Sequence, residues 1–127
     1  MICEYENIED AIRITFPRTV RKEDIVSLIE EINLVEDEYS PFPDRIVDFR
    51  EVELFDFRAD GMFQFARHRA EKKFPNRLKS ALLIGNDYQL GVARMFQTLN
   101  TNPQMTVEIF TDERKAAAWI RSSRSLR

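Results

Sequence analysis

The amino-acid sequence predicts an α/β fold, a mainly parallel sheet of about four to five strands carrying four helices. Short β-type stretches alternate with helix-length amphipathic ones, and strands joined over such lengths pair in parallel, because a tight hairpin cannot reach a parallel neighbour. One run, Leu78 to Ile84, is almost wholly apolar and is followed by Gly85 and Asn86, which suits a central strand buried on both faces. With 127 residues, 43% of them apolar and 32% charged, the composition is that of one packed domain over residues 1–127.

Ile2 to Tyr5 and Ile12 to Phe16 are β-type stretches on either side of the polar turn Asn7 to Asp10, forming a hairpin or one interrupted strand that Pro17 closes. Thr19 is placed to cap the first helix. Glu23 and Asp24 follow in its first turn, where the helix dipole favours anions, and Ile25, Leu28, Ile29, Ile32 and Val35 recur at helical spacing. The helix ends in the acidic run Glu36, Asp37, Glu38 and a loop holding Pro41 and Pro43, after which Arg45 to Arg50 reads as a strand. Beyond Gly61, the positions Met62, Phe63, Ala66, Ala70 and Phe74 share one face of a second helix, Phe65 widens the stripe, and Pro75 stops it. The third helix starts near Tyr88 and uses Leu90, Ala93, Met95, Phe96 and Leu99. Met105 to Phe110 supplies another strand, and Thr111 or Asp112 caps a last helix containing Ala116, Ala117, Trp119 and Ile120. Residues 122–127 form a short basic tail.

The longest late apolar runs, Ala81 to Ile84 and Ala116 to Ile120, are too short for a spanning helix, and the first twenty residues carry too many acids for a signal peptide. Cys3 is the sole cysteine, which removes an internal disulfide and the usual structural zinc site, so a reducing cytoplasm is the expected compartment. Charge is divided along the chain: residues 1–60 hold 17 acids and 7 bases, residues 61–127 hold 5 and 12. Complementary halves place an acidic helix beside a basic one inside a monomer, or give each monomer two patches that attract another copy into a homodimer; two solvated faces are the plainest alternative. The basic cluster Arg67, Arg69, Lys72, Lys73, Arg77 and Lys79 reads as such a solvated face. It lacks interleaved aromatic residues, which argues against nucleic acid, and lacks an accompanying exposed apolar face for a membrane surface.

The strand Ile46-Val47-Asp48-Phe49-Arg50, the segment Gly91-Val92-Ala93-Arg94-Met95-Phe96, and Val107-Glu108-Ile109-Phe110 ahead of Ala116-Ala117-Ala118-Trp119-Ile120 resemble the SpoIIAA-like proteins. These are small relatives of the STAS domain, the fold of anti-sigma factor antagonists and of a module of sulfate transporters, and they also resemble lipid-carrying CRAL-TRIO domains. The resemblance spans about Ile12 to Ile120 and implies a non-enzymatic interaction module that binds a protein partner or a small ligand at the strand-end loops. A carrier of a small apolar ligand is the alternative implied by the CRAL-TRIO likeness. An enzyme of another class is the third. The antagonists carry a phosphorylatable serine in an Asp-Ser-Ser-Gly segment; here the segment is Asp56-Phe57-Arg58-Ala59-Asp60-Gly61, with no hydroxyl to accept a phosphate.

The candidate binding residues are therefore Asp56, Asp60 and Gly61 in one loop and Gly85, Asn86, Asp87 and Tyr88 in another, with Arg94 nearby. Asp60 also suits a plain cap of the second helix, and Gly85 to Tyr88 suits a cap and tight turn, since Asp87 would repel an anion from that helix end. Arg94 either pairs with Asp48 or another carboxylate, or holds a small acidic ligand bidentately. No catalytic set, metal site or cofactor motif is recognised. A calcium loop from Asp56 fails because Arg58 and Arg67 stand at ligand positions. His68, about 200° around its helix from Ala66, is expected to face water. Cys3 lacks an activating base.

Overall fold

The computed structural model describes residues 1–56 and 59–122, apart from the side chains of Ala59, Asp60 and Met62. Of the two alternatives, strands β1 (Glu4–Ile8) and β2 (Ala11–Thr15) form the hairpin, shifted so that the turn is Glu9-Asp10, with Asp10 in the left-handed region at φ 67°. The main sheet has five strands in the order β1-β2-β4-β6-β7, where β4 is Arg45–Asp48, β6 is Leu78–Leu83 and β7 is Met105–Phe110. All its pairs except β1–β2 are parallel. Every residue of β4 and β6 is buried, as the apolar run predicted for β6.

Four helices cover this sheet: α1 (Ile25–Asp37), α2 (Ala59–Glu71), α3 (Asp87–Leu99) and α4 (Glu113–Arg121). Strand alternation sends Ile12, Ile14, Phe16, Val47, Phe49, Leu82 and Ile84 into one core with Leu28, Ile32 and Val35 of α1, Phe65 of α2 and Val92 and Ala93 of α3. The opposite face gives Ala11, Ile46, Ala81 and Leu83 to a smaller core under Ala116 and Ile120 of α4. The N-terminal residues are fastened to α1 by Glu31, whose buried carboxylate accepts bonds from the Ile2 and Cys3 backbone nitrogens and the Tyr5 hydroxyl at 2.6–2.8 Å.

Several sequence expectations are corrected. Thr19 does not cap α1: Thr19–Val20 is a short strand, β3, pairing in parallel with β5 (Leu54–Phe55), and a 3₁₀ turn at Lys22–Asp24 precedes the helix. Two-residue strands carry too little pattern to be read from sequence. Phe63 is exposed, while Phe74, beyond the end of α2, is buried. The basic cluster is not a uniform solvated face either. Arg67, Lys73 and Arg77 are exposed, but Arg69 and Lys72 turn inward, and Lys79 is buried with its ammonium 2.6 Å from the Trp119 and Ser122 carbonyls. His68 does not face open water, because its Nε2 lies 3.1 Å from Asn33 Nδ2 on α1 and its Nδ1 is buried. The loop residues Phe57 and Arg58 and the tail 123–127 lie outside the described residues.

The long-range organiser of the strand-end loops is a residue with no sequence signal, Gln89. Its Oε1 accepts the Gly85 N–H at 2.7 Å, and its Nε2 donates to the Arg50 and Val52 carbonyls at 2.9 and 3.0 Å. Gln89→Leu keeps the volume but removes the partner of those backbone groups, of which the Val52 carbonyl is buried. It is expected to lower stability by about 1–3 kcal/mol in urea unfolding, and a change below about 0.5 kcal/mol would contradict this role.

Candidate functional site

Of the strand-end residues singled out from the sequence, Gly85, Asn86 and Tyr88 make hydrogen bonds within the fold. Asn86 is the N-cap of α3, its side chain accepting the Gln89 N–H at 2.9 Å, and Phe55 N–H donates to the Tyr88 hydroxyl at 2.8 Å. Gly85, Asp87 and Tyr88 are exposed beside it. Asp56 is exposed and uses its N–H on the Val20 carbonyl. Asp60 is the second residue of α2, so it does not occupy the position before the helix that a cap requires. Gly61 packs against the start of α1, where an added Cβ would stand 2.7 Å from Ile25 Cδ1.

Asp48 does not pair with Arg94. Its two oxygens accept from the Arg50 backbone and guanidinium at 2.9–3.0 Å and from Arg13 at 3.1 Å, while Glu113 joins both arginines and Arg94 stays exposed on α3. Burial works to raise the Asp48 carboxyl, but the bonds and charge of Arg50 and the charge of Arg13 outweigh it and hold it below its ordinary value. With two guanidiniums and two carboxylates in mutual contact, this network is neutral and ties β2, β4 and the start of α4 together.

A second, unbalanced cluster lies under the C-terminal half of α2. Glu36 is only 1% exposed at the last turn of α1 and meets three cations: Arg45 of β4 at 2.5 Å, Arg69 of α2 at 2.6 Å and Lys72 at 2.8 Å. Burial would raise its carboxyl, yet the hydrogen bonds and charges of Arg69, Arg45 and Lys72 leave it well below the usual carboxylate range. Arg45 is itself 3% exposed. Its Nη1 donates to Glu36 and its Nη2 to the Pro43 carbonyl at 3.0 Å, while its Nε has no acceptor among the described residues. Burial depresses the His68 ring below its ordinary value, and the Arg69 and Lys72 charges add to that.

Next to this cluster, between the sheet and the helices, is a cavity of about 90 Å³. Phe16, Phe49, Phe65 and Phe96 wall it with Ile14, Ile32, Val47, Leu82 and Val107, and Arg45, Arg69, Ser80 and Asn100 supply its polar lining. The rings are mutually braced: Phe49 stacks on Phe96 at 5.5 Å and Phe65 meets Phe96 edge-on at 5.3 Å. The sequence showed the aromatic residues but not the cavity, because a ring that fills a core and a ring that walls a void share one pattern. The acidic run at Glu36 and the basic cluster at Arg69 and Lys72 were each visible; their meeting inside one chain was one of two alternatives.

Glu36→Gln leaves the buried Arg45 and the half-buried Arg69 and Lys72 without their carboxylate and is expected to cost about 3–5 kcal/mol at pH 7. Because the folded carboxyl is depressed, its stabilisation is present above the ordinary glutamate value of 4.5 and is lost as pH falls through the lower folded value. The wild-type advantage over the variant should therefore shrink steadily below about pH 5 in denaturant titrations. A gap independent of pH would show that the carboxylate charge is not what holds the cluster.

Among the described residues no helix is long and apolar enough to cross a membrane. No family model matches the chain, and no curated protein matches it. A solved structure that is similar to it is an uncharacterized protein of the DUF3478 family from Shewanella loihica PV-4, described as having a SpoIIAA-like fold. The identity is 17% and the TM-score 0.58 over 93% of this chain and 91% of that one. With its antiparallel first strand, four parallel strands and four helices, this chain has the SpoIIAA-like α/β fold.

Proposed function

We propose that this protein is a non-enzymatic binding module that takes up a small, largely apolar ligand in the cavity between the sheet and α1, α2 and α3. The observation that supports this reading is the cavity itself. Interiors pack to crystal-like density, so a void of about 90 Å³ walled by braced aromatic rings forfeits contacts that a filled core would make. An engineered apolar cavity of roughly 150 Å³ holds a whole benzene; this one, at about 90 Å³, is smaller but partly open, so a small occupant would be held with one end toward the opening. The reading also draws on the state of the reactive side chains. Burial pushes the Cys3 thiol above its ordinary value and keeps it from the thiolate form, and His68 is wedged against Asn33 with its proton disfavoured.

A second reading, docking of a protein partner at the strand-end loops, is favoured by the exposure of Leu54 and Tyr88, which the Phe55 N–H to Tyr88 hydroxyl bond holds side by side. Electrostatic pairing of two copies through α1 and α2 loses part of its basis, since Arg69 and Lys72 are engaged with Glu36 of their own chain.

Ala66 lines the cavity from α2, and Ala66→Leu places three more carbons into it. Toluene titrated into methyl-labelled protein is expected to shift the Val47, Leu82 and Val107 signals in the wild type and not in the variant. The variant should gain about 0.5–2 kcal/mol of stability, as cavity-filling changes do. Wild-type signals that do not respond, or that respond equally in both proteins, would remove the cavity as the binding site.

A further inference from the structure

We propose that the cavity selects a ligand bearing one carboxylate on a compact apolar body, with the carboxylate received by Arg45 and the body held among the phenylalanines; this deepens, and rests on, the reading of the cavity as a ligand site. Three facts converge on it. The first is the state of Arg45, which lines the cavity, is 3% exposed, and has an Nε–H with no acceptor among the described residues. A buried polar group is ordinarily paired, and an unpaired donor on a permanently charged guanidinium marks a place where an acceptor belongs. Asp48 illustrates the contrast in the same strand, since both of its oxygens are satisfied.

The second fact is contact. Arg45, Arg69 and Lys72 all pair with the single carboxylate of Glu36, while the other acids whose charge is felt here, Asp44 and Glu71, make no ion pair with Arg45. A single carboxylate suits one free guanidinium N–H, whereas a phosphate needs more donors than one Nε–H. The third fact is the remaining wall. Apart from the polar group of Arg45, Arg69, Ser80 and Asn100, the cavity offers ring faces and aliphatic carbons, so the rest of the ligand is a short chain or a ring. A guanidinium at one end of an apolar pocket is the counterpart of a small carboxylic acid. It is Arg45, from the buried strand, that takes the place expected of Arg94.

The test is calorimetric titration with matched probes: benzoate against benzyl alcohol, and hexanoate against hexanol. Each acid is expected to bind at least tenfold tighter than its alcohol. Arg45→Gln removes the guanidinium while leaving Glu36 paired with Arg69 and Lys72, and should cost benzoate tenfold or more while leaving benzyl alcohol within about twofold. In the wild type, which needs no altered residue, benzoate should displace the Arg45 Nε–H signal in the proton–nitrogen spectrum and benzyl alcohol should not. Alcohols that bind as tightly as the acids, or an Nε–H signal unmoved by bound benzoate, would overturn the carboxylate inference while leaving the apolar cavity as a binding site. If neither acid nor alcohol binds, the cavity reading fails and the inference falls with it.

Discussion

The buried carboxylate of Glu36 is the constraint on which the rest of this architecture depends. It sits at the end of α1, yet its partners come from β4 and from α2 and the residue after it, so one side chain joins two helices to the centre of the sheet. Such a cluster is costly to assemble, because each ion is stripped of water, and it holds only when the geometry leaves few donors unmet. Here the Arg45 Nε–H is left without an acceptor among the described residues, beside the apolar cavity of the fold's main core. The interaction that fixes the helices and the group that would greet a ligand are thus parts of one cluster.

The cavity follows from how α2 is held. Near its start, Gly61 allows the helix to approach Ile25 as closely as an absent side chain permits, and near its end Arg69 and Lys72 are drawn onto Glu36. Between the two, the inward positions are Phe65, which reaches Phe96, and the small Ala66, which does not fill the gap above Val47 and Leu82. A helix fixed at both ends does not settle onto the sheet to close such a gap. The same pairing explains why the basic residues of this region divide, with Arg67 and Lys73 in solvent and Arg69 and Lys72 inside.

Much of the fold was legible in the sequence because period and burial agree along most of the chain. Leu78 to Ile84 reads as a central strand, and Leu78–Leu83 is one; of the two caps read for the last helix, Thr111 or Asp112, it is Asp112 that caps α4. The failures have physical causes. Thr19 was read as a cap because a hydroxyl before an acidic turn looks the same whether the backbone enters a helix or a two-residue strand, and only the distant partner Leu54–Phe55 decides between them. The candidate site was far less legible. The strand-end loops were located correctly, but Asn86 and Tyr88 turned out to be fastened to their neighbours, and Glu36, Arg45 and Arg69 lie far apart in sequence. Their types are those of any solvated surface, and only the topology that brings β4 beneath α1 and α2 turns them into a buried cluster.

The account's central claim is that ligand chemistry belongs to the interior between sheet and helices and not to the strand-end surface. Intermolecular nuclear Overhauser effects from bound benzoate test it most directly. The account predicts contacts from the ring protons to the methyl groups of Val47, Leu82 and Val107 and to the Phe65 and Phe96 rings, which line one cavity. Contacts confined to Leu54 and Tyr88 on the exposed loops would contradict it.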